Sequence, residues 1–80
     1  MGKLEKLIQK ILDKKQVSYD EAERVLFSIG FKVKITGSHC VFRKKGYSHN
    51  ISLKKRRYLL AYQMKMLRKV LIDHGYQNEK

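Results

Sequence analysis

At Gly30–Phe31 the hydrophobic period of this chain changes from 3.6 residues to 2. A chain that changes period changes secondary structure with it. Upstream, Ala22, Val25, Leu26 and Ile29 recur at helical spacing, and Gly30 supplies a stop of the C′ type. Downstream, Phe31, Val33 and Ile35 alternate with Lys32, Lys34 and Thr36. Cys40 and Phe42 then alternate with His39, Val41 and Arg43, and Ile51 and Leu53 with Asn50, Ser52 and Lys54. Gly37 interrupts the pattern once and the stretch Lys44 to Tyr47 a second time. The pattern predicts a three-stranded antiparallel meander.

Helices flank the meander. Leu4, Leu7, Ile8, Ile11 and Leu12 form one apolar stripe, which predicts a helix over residues 3–14. Ser18 followed by Glu21 is a capping box, with Asp20, Glu21 and Glu23 at the positive end of the next helix dipole. A last helix is predicted from about residue 60 to 73, with Leu60, Met64, Leu67 and Leu71 on one face. Tyr58 and Tyr62 are expected to pack at its start, and His74 to sit at its end. The order helix, helix, three strands, helix predicts an α+β fold: a three-stranded antiparallel sheet with helices packed on one face.

Eighty residues suffice for one small domain, predicted to span 1–80 with residues 3–14 as an N-terminal helical extension. That length excludes a dinucleotide-binding fold or a barrel enzyme. A lone cysteine, Cys40, excludes an internal disulfide and a cysteine-cluster zinc site. No apolar run approaches the ~20 residues of a membrane span, and no signal peptide is visible. The expectation is a cytoplasmic protein with no membrane association, no metal and no cofactor.

Nineteen Lys and Arg against seven Asp and Glu leave a formal charge of +12. The acids are Glu5, Asp13, Asp20, Glu21, Glu23, Asp73 and Glu79, so none falls between Arg24 and Ile72. Surfaces kept charged for solubility normally mix both signs. Here one sign is missing across the sheet and most of the last helix, a pattern that fits a polyanion.

If the first hairpin turns at Thr36-Gly37, Lys34 faces His39, Val33 faces Cys40 and Phe31 faces Phe42. If the second turns at Lys45-Gly46, Phe42 faces His49, Cys40 faces Ile51 and His39 faces Ser52. Both registers put Phe31, Val33, Cys40, Phe42, Ile51 and His49 toward the helices. Both leave Lys32, Lys34, His39, Val41, Arg43, Asn50, Ser52 and Lys54 on the other face.

His39 is thereby expected on an exposed cationic surface. With no acid on that face to tie the ring up, the imidazole is expected to be able to act as a base. The cations there hold a phosphate and stabilise charge developing on it. RNA brings its own nucleophile, the 2′-hydroxyl, so its cleavage needs a base, an acid and charge stabilisation but no metal. The candidate catalytic residue is His39. The candidate RNA-binding residues are Lys32, Lys34, Gly37, Ser38, Arg43, Lys44, Lys45, Ser52 and Lys54. Cys40, turned inward, is read as packing, and Tyr47 as a turn residue able to stack on a base.

The segments LFSIGFKVKITGSHCVFRKKG, HNISL and AYQMKMLRKVL together resemble the HicA toxin family of bacterial toxin–antitoxin systems. The likeness runs from about Asp20 to Ile72. Its most specific piece is Gly37-Ser38-His39 followed by Val41 and Phe42, supported by the Tyr62-Gln63 step. The resemblance implies a fold like a double-stranded-RNA-binding domain, here with an extra N-terminal helix. It implies a metal-independent ribonuclease that cuts mRNA, single-stranded or on the ribosome. It also implies a HicB-type antitoxin that covers the His39 face. The family's catalytic histidine maps onto His39. Many members carry a second histidine where this chain has Cys40.

Other readings predict different behaviour. A non-catalytic RNA-binding module keeps RNA intact and is indifferent to His39→Ala. A helix-turn-helix reading of the first two helices predicts a preference for duplex DNA, against which the acids of the second helix speak. A pure interaction protein would dock an acidic partner and ignore nucleic acid.

Overall fold

The computed structural model describes residues 2–55 and 57–77. Arg56, part of the basic run, and Glu79 lie outside the described residues. The elements follow in the order α1 (Lys3–Leu12), α2 (Tyr19–Ser28), β1 (Lys32–Thr36), β2 (His39–Lys44), β3 (Tyr47–Lys54) and α3 (Ala61–Asp73). The strands form one antiparallel sheet in the order β1-β2-β3.

One face of the sheet carries the core. Cys40, Phe42, Ile51 and Leu53 are buried there with Ile8, Ile11, Leu12, Val25, Leu26, Leu67 and Leu71 of the helices. The N-terminal helix is part of this core rather than an appendage: α1 packs against both α2 and α3. Its apolar stripe is spent on those contacts, with Ile8, Ile11 and Leu12 buried and Leu4 and Leu7 packed against them. No helix among the described residues is long and apolar enough to cross a membrane.

The capping box at Ser18 forms as its spacing predicts. Ser18 Oγ accepts from the Glu21 N–H at 3.2 Å, and the Ser18 N–H donates to Glu21 Oε1 at 3.0 Å. Helix α2 closes with Gly30 at φ +100°. The Phe31 N–H reaches the Leu26 carbonyl and the Gly30 N–H that of Phe27, a Schellman motif. Helix α1 closes in the same way two residues before the predicted end. The Lys15 N–H donates to the Lys10 carbonyl and the Lys14 N–H to that of Ile11. Lys14 takes the left-handed position, at φ 66°. No glycine marks that site, so the sequence overextends the helix.

Helix α3 starts at Ala61, and Leu60 is its exposed N-cap rather than a member of the buried stripe. Leu59 is buried in its place. With no Ser or Thr available as a cap, buried Gln63 reaches back and accepts from the Leu60 N–H at 2.9 Å. Tyr58 and Tyr62, expected to pack here, are 51% and 61% exposed.

Both hairpins depart from the predicted register by two residues. The first loop is Gly37-Ser38, which pairs Thr36 with His39, Lys34 with Val41 and Val33 with Phe42. Gly37 has φ +61° and Ser38 is not among the positive-φ residues, the pattern of a type II′ turn with glycine first. A loop of Thr36-Gly37 in the alternative primed turn would force β-branched Thr36 to positive φ. The second loop is Lys45-Gly46, as predicted, with Lys44 opposite Tyr47. Only Gly46 of that pair has positive φ, so the turn is not the primed kind that matches strand twist. The register shifts beside it, between Phe42 and Lys44, and beyond the irregularity Phe42 faces Ile51 rather than His49. His49 is exposed, against the expectation that it joins the core.

Candidate nucleic-acid interface

Antiparallel partners point to the same side of a sheet. Thr36, His39 and Lys54 are therefore one row across all three strands, with His39 in the middle. Lys34, Val41 and Ser52 form the next row, and Lys32 and Arg43 pair beyond it. Among the described residues, no helix covers this side. His39, Lys32, Lys34, Arg43, Ser52 and Lys54 are all exposed, and Val41 is half-buried among them. Among the described residues, the face contains no carboxylate.

Distances along the sheet sort the candidate residues. Lys54 is the direct neighbour of His39, with Cα atoms about 5 Å apart in such a pair. Lys34 is a diagonal neighbour, at about 7–8 Å. Ser52 stands opposite Val41, not His39. Arg43 lies four residues along β2, about 13 Å from His39, too far for the two to meet on one small group. Gly37 and Ser38 form the exposed turn leading directly into His39.

Lys44 and Lys45 are at the far end of β2. Lys44 is half-buried on the helix side, its stem close enough to Gly30 that a Cβ there would meet Lys44 Cε at 3.3 Å. Alternation places it opposite in orientation to His39 and Arg43. Lys45 is exposed in the distal turn. The structure therefore gathers His39, Lys34, Ser38 and Lys54, and sets Lys44 and Lys45 apart.

The other candidates are engaged elsewhere. Cys40 is buried. Tyr47 packs edge-on against Phe31, with centroids 5.8 Å apart, and lies 5.1 Å from the His74 ring. Its hydroxyl donates to Asp73 Oδ2 at 2.7 Å. Burial first, then that hydrogen bond, pushes its phenol up to about 12. The bond from Tyr47, aided by Lys69, in turn holds the Asp73 carboxyl below the usual range. His74 caps α3, its Nδ1–H donating to the Val70 carbonyl at 2.7 Å. Tyr19 is buried against Phe42 and donates to Glu23 Oε2 at 2.9 Å, and its phenol too is raised, chiefly by burial.

Comparison with family models, curated proteins and solved structures finds no match for this chain. A hollow of about 310 Å³ lined by Lys3, Lys6, Leu7, Asp20, Glu21 and Arg24 lies between α1 and α2, in the helix layer. The His39 side is an open cationic sheet face. Small-molecule sites are concave and largely apolar. An open face ruled with lysines suits the backbone of a polymer.

Sequence reasoning missed the exposure of Tyr58 and Tyr62. A signal existed. Leu59, between Tyr58 and the helix, competes for the same buried position, and an aliphatic residue carries no hydroxyl that needs a partner.

Proposed function

We propose that this chain is a metal-independent endoribonuclease of the HicA toxin type, acting on mRNA and restrained by a HicB-type antitoxin that covers the His39 face. The order α2-β1-β2-β3-α3, with one sheet face bare, supports a double-stranded-RNA-binding-domain-like reading of the fold. The observation that carries the proposal is the row Thr36–His39–Lys54. It sets an exposed imidazole beside an ammonium, with Lys34 diagonal to it, on a face without carboxylates among the described residues.

The chemistry follows from those groups. His39 takes the proton of a ribose 2′-hydroxyl, and the oxygen attacks the adjacent phosphorus. The O2′–P bond forms and the P–O5′ bond breaks, leaving a 2′,3′-cyclic phosphate and a 5′-hydroxyl. Lys54 and Lys34 stabilise the charge that gathers on the phosphoryl oxygens. The departing 5′-oxygen takes its proton from water, a lysine or the imidazolium acting in turn.

The test is incubation of the purified chain with a defined RNA in a metal chelator, with His39→Ala alongside and circular dichroism as a folding check. Wild type is expected to cut and to leave cyclic phosphate ends. His39→Ala is expected to be about 10²–10⁴-fold slower. A 3′-hydroxyl product end rules this route out. RNA bound equally by both proteins and cut by neither assigns the chain as a non-catalytic RNA-binding module.

A further inference from the structure

Residues 55–60 join β3 to α3, and the described part of this loop is held at both ends. Lys55 Nζ lies over the Tyr19 ring, 5.9 Å from its centroid. Leu59 is buried, and its N–H donates to the Val17 carbonyl at 3.0 Å. Between these anchors stands Tyr58, 51% exposed. Burial of a tyrosine ring is favourable where space allows. Here Leu59 fills the inward position and Tyr58 is left facing water. Arg57 Cζ sits 5.8 Å from the centre of the Tyr58 ring, so a guanidinium backs it.

The loop leaves the sheet at the reactive row. Lys54, the last residue of β3, is paired with His39. Four residues of chain span at most about 14 Å and paired Cα atoms lie about 5 Å apart, so the Tyr58 Cα lies within about 20 Å of that of His39. That ring, exposed and backed by a cation, is therefore within a few nucleotides' reach of a strand held by its phosphates beside His39.

We infer that Tyr58, backed by Arg57, is a stacking subsite for an unpaired nucleobase of the RNA whose phosphates lie on the His39 face. The inference rests on RNA as the substrate. It adds a property the lysines do not supply. Phosphate contacts position a strand but are blind to whether its bases are paired. A ring that stacks on a base selects single-stranded RNA, because bases in a duplex are already stacked on one another. Arg57 adds one phosphate contact at the same place.

The chain contains no tryptophan, so Tyr58→Trp installs a single indole reporter. The probes are a 2′-O-methyl RNA octamer, which lacks the nucleophilic hydroxyl and stays intact, and an abasic octamer with the same number of phosphates. The RNA octamer is expected to quench the indole and the abasic one is not. Tyr58→Ala should weaken octamer binding about tenfold with an unchanged salt slope, and Tyr58→Phe should bind as wild type. Arg57→Ala should lower the salt slope by about one. An octamer that binds Tyr58→Ala as tightly as wild type, with the indole unquenched, overturns the stacking subsite and leaves RNA binding standing. Folded wild type that binds no octamer overturns both.

Discussion

The Tyr47 hydroxyl donates to Asp73 Oδ2 at 2.7 Å and so ties the second hairpin to the last turn of α3, across 26 positions of chain. Lys69, one turn earlier on α3, reaches the same oxygen at 3.4 Å. The bond makes the far end of the sheet a structural junction. It also engages the Tyr47 hydroxyl, while the ring packs against Phe31 and His74.

That pair predicts a bell-shaped contribution to stability. The folded carboxyl of Asp73 is held low by Tyr47. Its contribution is full above the unfolded value of ~3.9 and is lost as pH falls through the lower folded one. Tyr47 is raised to about 12. Its contribution is full below the unfolded value of ~10 and is lost as pH rises through the folded one. Tyr47→Phe should therefore lower the melting temperature most between about pH 5 and 9. A wild-type-to-variant gap that stays constant from pH 3 to 11 would contradict this.

Lys14 occupies the left-handed position of the α1 Schellman motif at φ 66°. For a residue with a Cβ that conformation costs about 1 kcal/mol. Lys14→Gly should raise stability by about 0.5–1 kcal/mol, and thermal unfolding at neutral pH would register the gain. A fall in melting temperature would mean that the lysine side chain compensates for its own strain.

Ser18→Ala removes the side-chain half of the capping box. The expected loss is about 1 kcal/mol, or roughly 4–8 °C in melting temperature for a domain of this size. Ser18→Asp should recover most of it, since aspartate accepts the same N–H and adds favourable charge at the helix start. Equal losses in both variants would show that the cap is not what Ser18 contributes.

Lys54 and Arg43 make a paired test of the proposed site. Each is one cation, so each alanine variant should lower the salt slope of RNA binding by about one. Only Lys54 adjoins His39. Lys54→Ala should slow cleavage of bound RNA about 10- to 100-fold, and Arg43→Ala much less. Equal effects on the cleavage step would place the reacting phosphate between them rather than at His39.

Much of this fold was legible in local signals. The capping box at Ser18, the glycine stop at Gly30 and the alternation of β2 each depend on residues a few positions apart, and each forms as its spacing predicts. The misreadings have other causes. Lys14 ends a helix without the glycine that usually announces it. Tyr58 and Leu59 are neighbours competing for one buried place; the aliphatic side chain hints at the winner, but the bond from its N–H to the Val17 carbonyl is a tertiary contact.

The candidate site divides in the same way. Its membership follows from parity. Each hairpin differs from the predicted pairing by two residues, and a shift of two leaves every side chain on its own face. His39 and the lysines thus share the bare face whichever pairing forms, and the sequence alone determines that. Which residue stands beside His39 is a different matter. Gly37 takes the first place in its turn because Thr36 resists positive φ, and the irregularity near Arg43 moves β3 along β2. Together they bring Thr36 and Lys54 to His39 in place of Lys34 and Ser52. Side is a property of one strand's alternation. Partner is a property of two strands and the turn between them, and only the tertiary structure decided it.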